Sequence, residues 1–411
     1  MLRRTTNNKL QITNSISSSH QNLLFPEFAF MKKYIIFQIL LVFFYNSYSQ
    51  FKVRVILTNV PTSSDKIFIA GSFNSWKPDD ATAELEKNSD GIFSITFPDV
   101  DAGLYEFKFA RGSWQKVECK KDGSDIENRS VRIQSDTVLN LSIEAWKDQF
   151  AVQEKKHTES KNVIILDSAF FIPQLNRYRR IWAYIPADYK NSSKRFPVLY
   201  MHDGQNLFDE FTAPFGEWSV DEILDTLPDK NHECIVIGID NGLDKRMGEY
   251  NPYDFVMHEN NGDKLIKAEG DAYVDFLVNI LKPYIDKKLR TFPDARHTCI
   301  AGSSMGGLIS FYTIMKYPEV FGNAGVFSPA FWTAPKLVDD VKKSVSKMKG
   351  EIFFYAGGAE SETMVSDMQN IVGLLKRNPK IKTKVAVFED GKHNEVNWRR
   401  EFPGFYKWIF Y

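Results

Sequence analysis

Residues 301–307 read Ala-Gly-Ser-Ser-Met-Gly-Gly, and two adjacent serines between glycines suggest a nucleophile. The segment follows an apolar strand candidate and precedes an amphipathic helix, the context in which G-x-S-x-G forms a nucleophile elbow. The register Gly302-x-Ser304-x-Gly306 selects Ser304 and not Ser303. Because a serine hydroxyl is a poor nucleophile at neutral pH, this chemistry also needs a base and an oxyanion hole.

The base is predicted from chain order, which is Ser, then acid, then His around a nucleophile elbow. The seven histidines are at positions 20, 157, 202, 232, 258, 297 and 393. Only His393 follows Ser304, in the loop "VFEDGKHNEVNW" between the last strand candidate and the last helix. A single loop histidine is often only solvated, but its place and the absence of a competitor predict that His393 is the base.

The acid is predicted to leave a loop directly after a strand. "EIFFYAGGAESE" is a strand ending in a Gly-Gly loop, and Glu360 is the first carboxylate on that loop. Glu362 and Asp367 are expected to begin the next helix, where acidic side chains favour the dipole, and Asp390 is expected to be a turn residue. We therefore predict that Glu360 orients His393 and stabilises its imidazolium form.

The oxyanion hole requires two backbone N–H groups. One is predicted to be that of Met305, the residue after the nucleophile, and the other to come from the loop 202–208, which follows the strand "FPVLYMH".

These residues are positioned by a region in which apolar strand candidates alternate with helix-length segments from 163 to 411. The helical stretches lie roughly at 264–289, 305–317, 361–377 and 398–410. Near-continuous apolar strands separated by helices predict an α/β fold, a mostly parallel, doubly wound sheet of the α/β-hydrolase type.

A different sequence pattern precedes this region. Residues 50–146 contain short β-like runs broken at short intervals by Gly, Asp, Asn and Pro, which predicts a small all-β, immunoglobulin-like sandwich. Residues 147–162 are charged and lack a period, so they are predicted to be a linker.

The chain start has the pattern of a leader. Residues 31–49 combine Lys32 and Lys33 with an apolar run too short for a comfortable membrane span, and small residues follow. This predicts a cleaved signal peptide, a secreted or periplasmic protein and no membrane span in the mature chain. Residues 1–30 are polar and patternless, so they are predicted to be non-structural, with Met31 as the true start.

Composition limits the class of partner and cofactor. Lys and Arg total 52, as do Asp and Glu, so the balanced charge argues against nucleic acid. Cys119, Cys234 and Cys299 have no disulfide or metal spacing, and no phosphate loop or metal motif occurs. No cofactor and no metal are expected.

Several motifs in the right order carry a resemblance to a known family. They are "PVLYMHDGQNLFD", "GEWSVDEIL", "IVIGIDNG" with "RMGEYNP", "IAGSSMGGLISFY", "FSPAFW" and "DGKHNEVNW". Together they resemble the putative-esterase family of α/β-hydrolases, which includes esterase D, feruloyl esterases, siderophore esterases and mycolyltransferases.

This resemblance implies further site residues. The residue after the Asp-Gly pair, here Gln205, would give the second oxyanion N–H. Arg246, Tyr250 and Trp332 fall in motif loops and are candidates for lining the substrate cleft, or else they brace those loops. Many relatives carry Asp where this chain has Glu360.

The first region resembles glycogen-recognition carbohydrate-binding modules through "KIFIAGSFNSWKPDD" and "YEFKFARGSWQKVE". The resemblance implies glycan contacts at Trp76 and Trp114, whose indole faces can stack on sugar rings, and polar contacts at Lys108 and Asn128. Alternatively, the module only docks onto the second domain.

We therefore expect a secreted serine carboxylesterase whose substrate is an ester, most simply an acetyl or feruloyl ester of a polysaccharide. Siderophore ester hydrolysis, acyl transfer, peptide hydrolysis and a non-catalytic glycan-binding protein remain alternatives.

Overall fold

The protein is described here by a computed structural model that covers residues 50–61, 65–151, 155–259 and 262–411. The predicted signal peptide 31–49 and the segment 1–30 lie outside the described residues. Within the described residues no helix combines the length and the apolar character that a membrane crossing requires.

The described residues of an N-terminal module form nine strands. They are β1 Gln50–Asn59, β2 Phe68–Gly71, β3 Glu86–Lys87, β4 Phe93–Asp101, β5 Gly103–Ala110, β6 Glu118–Cys119, β7 Arg129–Ile133, β8 Thr137–Ser142 and β9 Ala145–Trp146. One sheet has the order β3-β4-β1-β8 and another the order β2-β5-β7, with β6 and β9 paired separately.

The module core lies between its two larger sheets. In β1, Val53, Val55 and Leu57 are buried while their neighbours are more exposed, the period of two expected for a strand with one buried face. Val55 and Leu57 pack in one cluster with Phe107 and Phe109 of β5. Alternating apolar side chains from both sheets thus pack together as the core of this module.

In the C-terminal domain, the residues that the structure describes form ten strands. They are β10 Val163–Ile172, β11 Arg177–Tyr184, β12 Val198–His202, β13 Ile235–Ile239, β14 Phe255–Glu259, β15 Gly262–Ile266, β16 Thr298–Ser303, β17 Asn323–Phe327, β18 Gly350–Gly357 and β19 Ile381–Phe388. Eight of them form a sheet of order β10-β11-β13-β12-β16-β17-β18-β19, and β14 pairs with β15.

The sheet is parallel from β13 to β19 and antiparallel where β10 and β11 join it. Every residue of β12, β13, β16 and β17 is buried, as expected for strands covered on both faces. Two separate apolar clusters lie against this sheet. Parallel strands place their carboxyl ends at one edge, which is where the candidate site residues follow β12, β16, β18 and β19.

Helices connect and cover these strands. They are α1 Val220–Asp225, α2 Arg246–Glu249, α3 Gly270–Phe276, α4 Lys282–Lys288, α5 Met305–Lys316, α6 Leu337–Ser344, α7 Met364–Leu375 and α8 Glu395–Phe410. A π-helical turn, Leu277–Leu281, joins α3 to α4. The helix expected over 264–289 starts only at Gly270, because the preceding residues pair in the β14–β15 hairpin.

The second half of the predicted linker is held against the C-terminal domain. Thr158 Oγ1 donates a hydrogen bond to Glu217 at 3.0 Å, and the Ser160 N–H donates to Asp221 at 2.6 Å. Residues 147–149 instead form a short turn within the module, where Lys147 pairs with Asp125 at 2.7 Å.

Candidate active site

Ser304 sits on a strained turn between β16 and α5. Its φ of 58° and ψ of −120° are outside the usual regions for a side-chain-bearing residue, as required of a nucleophile elbow. Gly302 is needed because a Cβ there would lie 2.9 Å from the backbone carbon of Gly306. Ser303 is the last residue of β16 and is buried. The turn therefore presents Ser304 and not Ser303 at the helix N-terminus.

His393 and Glu360 are in direct contact. His393 Nδ1 lies 2.8 Å from Glu360 Oε2, and the Glu360 side chain is only 1% exposed. Its other oxygen, Oε1, accepts hydrogen bonds from the Gly357 N–H at 2.7 Å and from Ser328 Oγ at 2.6 Å. Glu360 is thus fixed by two donors and faces the imidazole with its remaining oxygen.

Sequence reasoning did not find the residues that hold this pair. Trp398 Nε1 donates to Ser328 Oγ at 2.9 Å, so the serine proton is directed to Glu360. The Trp398 ring also meets the His393 ring edge to face, with centroids 5.1 Å apart. A serine and a tryptophan at these positions carry no distinctive signal in a single sequence.

Ser304 and His393 line the same cavity, of about 790 Å³. Between these two described side chains the structure contains no direct hydrogen bond, although hydrogen bonds of this kind often form only with substrate bound. The Met305 and Gln205 N–H groups donate to no other described group, so both are available to an oxyanion. The loop of Gln205 follows β12, as predicted.

Asp203 and Arg246 brace this predicted oxyanion loop. Arg246 Nε and Nη2 lie 2.7 and 2.8 Å from the two carboxylate oxygens of Asp203, and Asn241 donates to the same carboxylate at 2.7 Å. Burial would raise the pKa of Asp203, but Arg246 and these hydrogen bonds outweigh it and hold the pKa below its usual range. Asp203 therefore stays ionised.

The three predicted cleft residues have different positions. Arg246 lines the cavity. Tyr250 does not line the cavity: its side chain is fully buried, and its hydroxyl accepts a hydrogen bond from the Asp203 N–H at 3.4 Å, as in the loop-bracing alternative. Trp332 is 58% exposed and lies edge to face against Phe255, outside the cavity wall.

Glu395 is a buried carboxyl group in the cavity wall that sequence reasoning missed. It is the first residue of α8, and Asn206 Nδ2 donates to it at 3.4 Å. Burial, reinforced by the charge of Asp203, raises the pKa of Glu395 to about 7. An acidic residue at a helix start ordinarily interacts with the helix dipole, so nothing in the sequence alone distinguishes Glu395 as a buried cavity residue.

The N-terminal module forms one wall of the same cavity. Lys108 and Asn128, predicted as glycan contacts, lie in this wall, and Asn128 Nδ2 donates to Glu106 at 3.4 Å. Trp76 and Trp114 lie outside the wall as a pair, with ring centroids 6.3 Å apart. The four predicted glycan contacts are therefore divided between the cavity wall and a separate aromatic pair.

One group of described residues offers three ligand atoms to a metal ion: His157, Glu159 and Asp209. His157 Nδ1 lies 2.8 Å from Asp209 Oδ2, which accounts for the cluster without an ion. The group is outside the cavity wall.

Comparisons with known proteins match two parts of the chain to known families. Residues 172–409 match the Putative esterase family, and residues 63–149 match the Pullulanase X25 domain. The chain is 35% identical over 97 residues to an alpha-amylase of Niallia circulans, covering 23% of this chain and 8% of the amylase. It is 23% identical over 259 residues to an endo-1,4-beta-xylanase/feruloyl esterase of Xylanibacter ruminicola, covering 62% of this chain and 32% of that protein.

Among solved structures, the enterochelin esterase of Shigella flexneri superposes with a TM-score of 0.50 at 15% identity, covering 84% of this chain and 87% of the esterase. At that identity the likeness shows a shared fold. The family match extends over more than half of the chain. It includes all the cavity-wall residues from Asp203 to Arg399. The chain belongs to the Putative esterase family and is a carboxylic ester hydrolase.

Proposed function

We propose that this esterase is a secreted serine enzyme that hydrolyses a carbohydrate ester with Ser304, His393 and Glu360 as its catalytic triad. The observation that carries the proposal is the buried Glu360 carboxylate held against His393 in a cavity that Ser304 also lines. A base oriented in this way can accept a proton from a serine hydroxyl at neutral pH.

In the proposed mechanism, Ser304 Oγ attacks the ester carbonyl carbon while His393 Nε2 takes the hydroxyl proton. The N–H groups of Met305 and Gln205 bind the oxyanion of the tetrahedral intermediate. When this intermediate collapses, the bond to the alcohol breaks and His393 protonates the leaving alcohol. Water, deprotonated by His393, then releases the acid and regenerates Ser304. The Glu360 carboxylate holds His393 in place and stabilises its imidazolium form.

A carbohydrate as the alcohol is supported by the module wall. Lys108 is half-buried in this wall, and its Nζ has no hydrogen-bond or ion-pair partner among the described residues. Carboxylates of Glu106, Asp125 and Glu127 line the same wall. Because a sugar hydroxyl both donates and accepts hydrogen bonds, a wall that offers an ammonium donor beside carboxylate acceptors suits a polyhydroxylated group.

Secretion is proposed from the signal-peptide pattern of residues 31–49. N-terminal sequencing of the exported protein tests it, with a mature start near Gln50 expected. A cell-associated protein that keeps this segment would contradict it.

The triad is tested with p-nitrophenyl acetate, methyl ferulate and acetylated xylan. Ser304→Ala and His393→Ala should each lower kcat/KM by about 10³-fold or more, whereas Ser303→Ala should stay active. Turnover that survives in Ser304→Ala and disappears in Ser303→Ala would overturn the assignment. Rapid hydrolysis of small esters with none on acetylated xylan would remove the carbohydrate part of the proposal.

A further inference from the structure

Three apolar side chains from three separate parts of the chain, in addition to Pro214 and Trp398, line the mostly polar wall of the catalytic cavity. Ile126 comes from the module loop between β6 and β7, Phe215 from the loop before α1, and Val396 from the start of α8. Phe215 is 79% exposed and Val396 is 58% exposed. Large apolar side chains that face solvent inside a ligand cavity are typical of a surface that a ligand covers.

Ion pairs between the domains place Ile126 beside the predicted base. Glu127, the next residue, pairs with Lys392, which directly precedes His393. Val396 follows His393 by three residues on the same segment. A second pair, Arg132 with Glu362, joins the module to the loop that carries Glu360. Both pairs are exposed and individually weak, but they bring the Ile126 loop to the two loops of the catalytic acid and base.

The loop of Phe215 is also tied to the catalytic machinery. Thr212 Oγ1 donates to the backbone oxygen of Gln205 at 2.7 Å, which connects this loop to the predicted oxyanion loop. Lys155, from the segment between the domains, donates to the backbone oxygens of Glu210 and Ala213. Phe215 is therefore presented on a hydrogen-bonded loop at the cavity.

We propose that Ile126, Phe215 and Val396 form an apolar subsite that binds an aromatic or similarly bulky apolar group of the ester substrate. This inference rests on the proposed function, and it adds that a large apolar group, and not acetate on a sugar alone, is what the enzyme selects. The apolar group belongs either to the acyl part or to the alcohol part of the ester. Because Ile126 belongs to the N-terminal module, the subsite is complete only in the two-domain chain.

The experiment compares Phe215→Ala and Ile126→Ala with Phe211→Ala in the full chain. Phe211 is a matched control: it lies on the same loop and is 52% exposed, but it stacks on His157 outside the cavity wall. The three esters are methyl acetate, methyl ferulate, which enlarges the acyl part, and 1-naphthyl acetate, which enlarges the alcohol part.

We expect Phe215→Ala and Ile126→Ala to lower, by about tenfold, the kcat/KM of one bulky ester relative to that of methyl acetate. An aromatic contact of ordinary strength corresponds to a change of this size. The affected ester identifies the acyl or the alcohol part. Phe211→Ala should leave both ratios at the wild-type value. Ratios that are unchanged in both subsite variants would overturn the proposal.

Binding separates this inference from the proposed function. Calorimetry measures the affinity of Ser304→Ala for methyl ferulate and 1-naphthyl acetate, and compares it with the double variant Ser304→Ala/Phe215→Ala. The double variant should bind one of the two esters about tenfold more weakly. If the wild-type protein hydrolyses none of the three esters, the proposed function fails, yet this comparison still decides the subsite. If Ser304→Ala and the double variant bind each of the two esters with equal affinity, the subsite is refuted.

Discussion

The hydrogen bonds around Glu360 predict that Glu360→Gln will be folded but nearly inactive. The Gly357 N–H and the Ser328 hydroxyl both point at Glu360 Oε1, at 2.7 and 2.6 Å. The Gly357 N–H can only donate a hydrogen bond, and the Ser328 oxygen already accepts one from Trp398. A glutamine amide must therefore place its carbonyl oxygen at this position and turn its NH₂ group towards His393.

The consequence is a wrong imidazole tautomer. An NH₂ group facing Nδ1 requires this nitrogen to accept a hydrogen bond, so the ring proton moves to Nε2, the nitrogen that must accept the proton of Ser304. A triad held in the wrong tautomer loses about 10⁴ in kcat, equivalent to about 5.5 kcal/mol of transition-state stabilisation. Since the glutamine oxygen still accepts both hydrogen bonds, the thermal midpoint should stay close to that of the wild type.

The assay is kcat/KM for p-nitrophenyl acetate, with a thermal melt of each protein. Glu362→Gln is the matched control, because Glu362 is an exposed carboxylate on the same loop that pairs with Arg132. The control should keep wild-type turnover. If the kcat/KM of Glu360→Gln is within tenfold of the wild-type value, the reasoning is refuted and another residue is the catalytic acid. Asp390 is then the next carboxylate to test.

Three further predictions concern stability, the elbow and the module. Burial holds the pKa of Glu395 near 7 against an ordinary 4.5, so the folded protein binds the extra proton and loses about 3 kcal/mol of stability as pH rises through this window. Measured by urea unfolding, the free energy of unfolding of Glu395→Gln should exceed that of the wild type by about 2 kcal/mol more at pH 8 than at pH 5. An equal difference at both pH values would contradict this. Gly302→Ala should cost about 2 kcal/mol by overpacking the elbow, whereas Gly373→Ala, where a Cβ meets nothing within 4 Å in α7, should be stabilising by about 0.5–1 kcal/mol, both measured by chemical unfolding. Trp76→Ala and Trp114→Ala should each weaken retention on insoluble polysaccharide in a pull-down while p-nitrophenyl acetate turnover stays within twofold, and unchanged retention would show that this aromatic pair is not a glycan site.

The elements that position the site could be predicted because their patterns are local. Apolar runs gave the strands, and Ser304 and His393 were distinguished by register and by chain order, which need no knowledge of distant contacts. The β14–β15 hairpin was missed because its residues, read one after another, fit the start of the helix that follows. Hairpin pairing overrode that local preference.

The cavity itself could not be predicted, because its walls meet only in three dimensions. Lys108 and Trp114 looked equivalent in sequence as glycan contacts, yet one lies in the cavity wall and the other does not. What separates them is the docking of the module, which brings together residues more than 200 positions apart in the chain, such as Glu127 and Lys392. Each partner in such a pair is, by itself, an ordinary surface charge.

The docked module contributes to the cavity as well as to any binding of polysaccharide. If the module were only a tether for polysaccharide, its removal would alter retention and leave the chemistry of small esters intact. In this structure the module supplies Lys108 and Ile126 to the cavity and contacts the segments that carry His393 and Glu360. We therefore propose that the two domains form one site and that substrate selection depends on the surface where they meet.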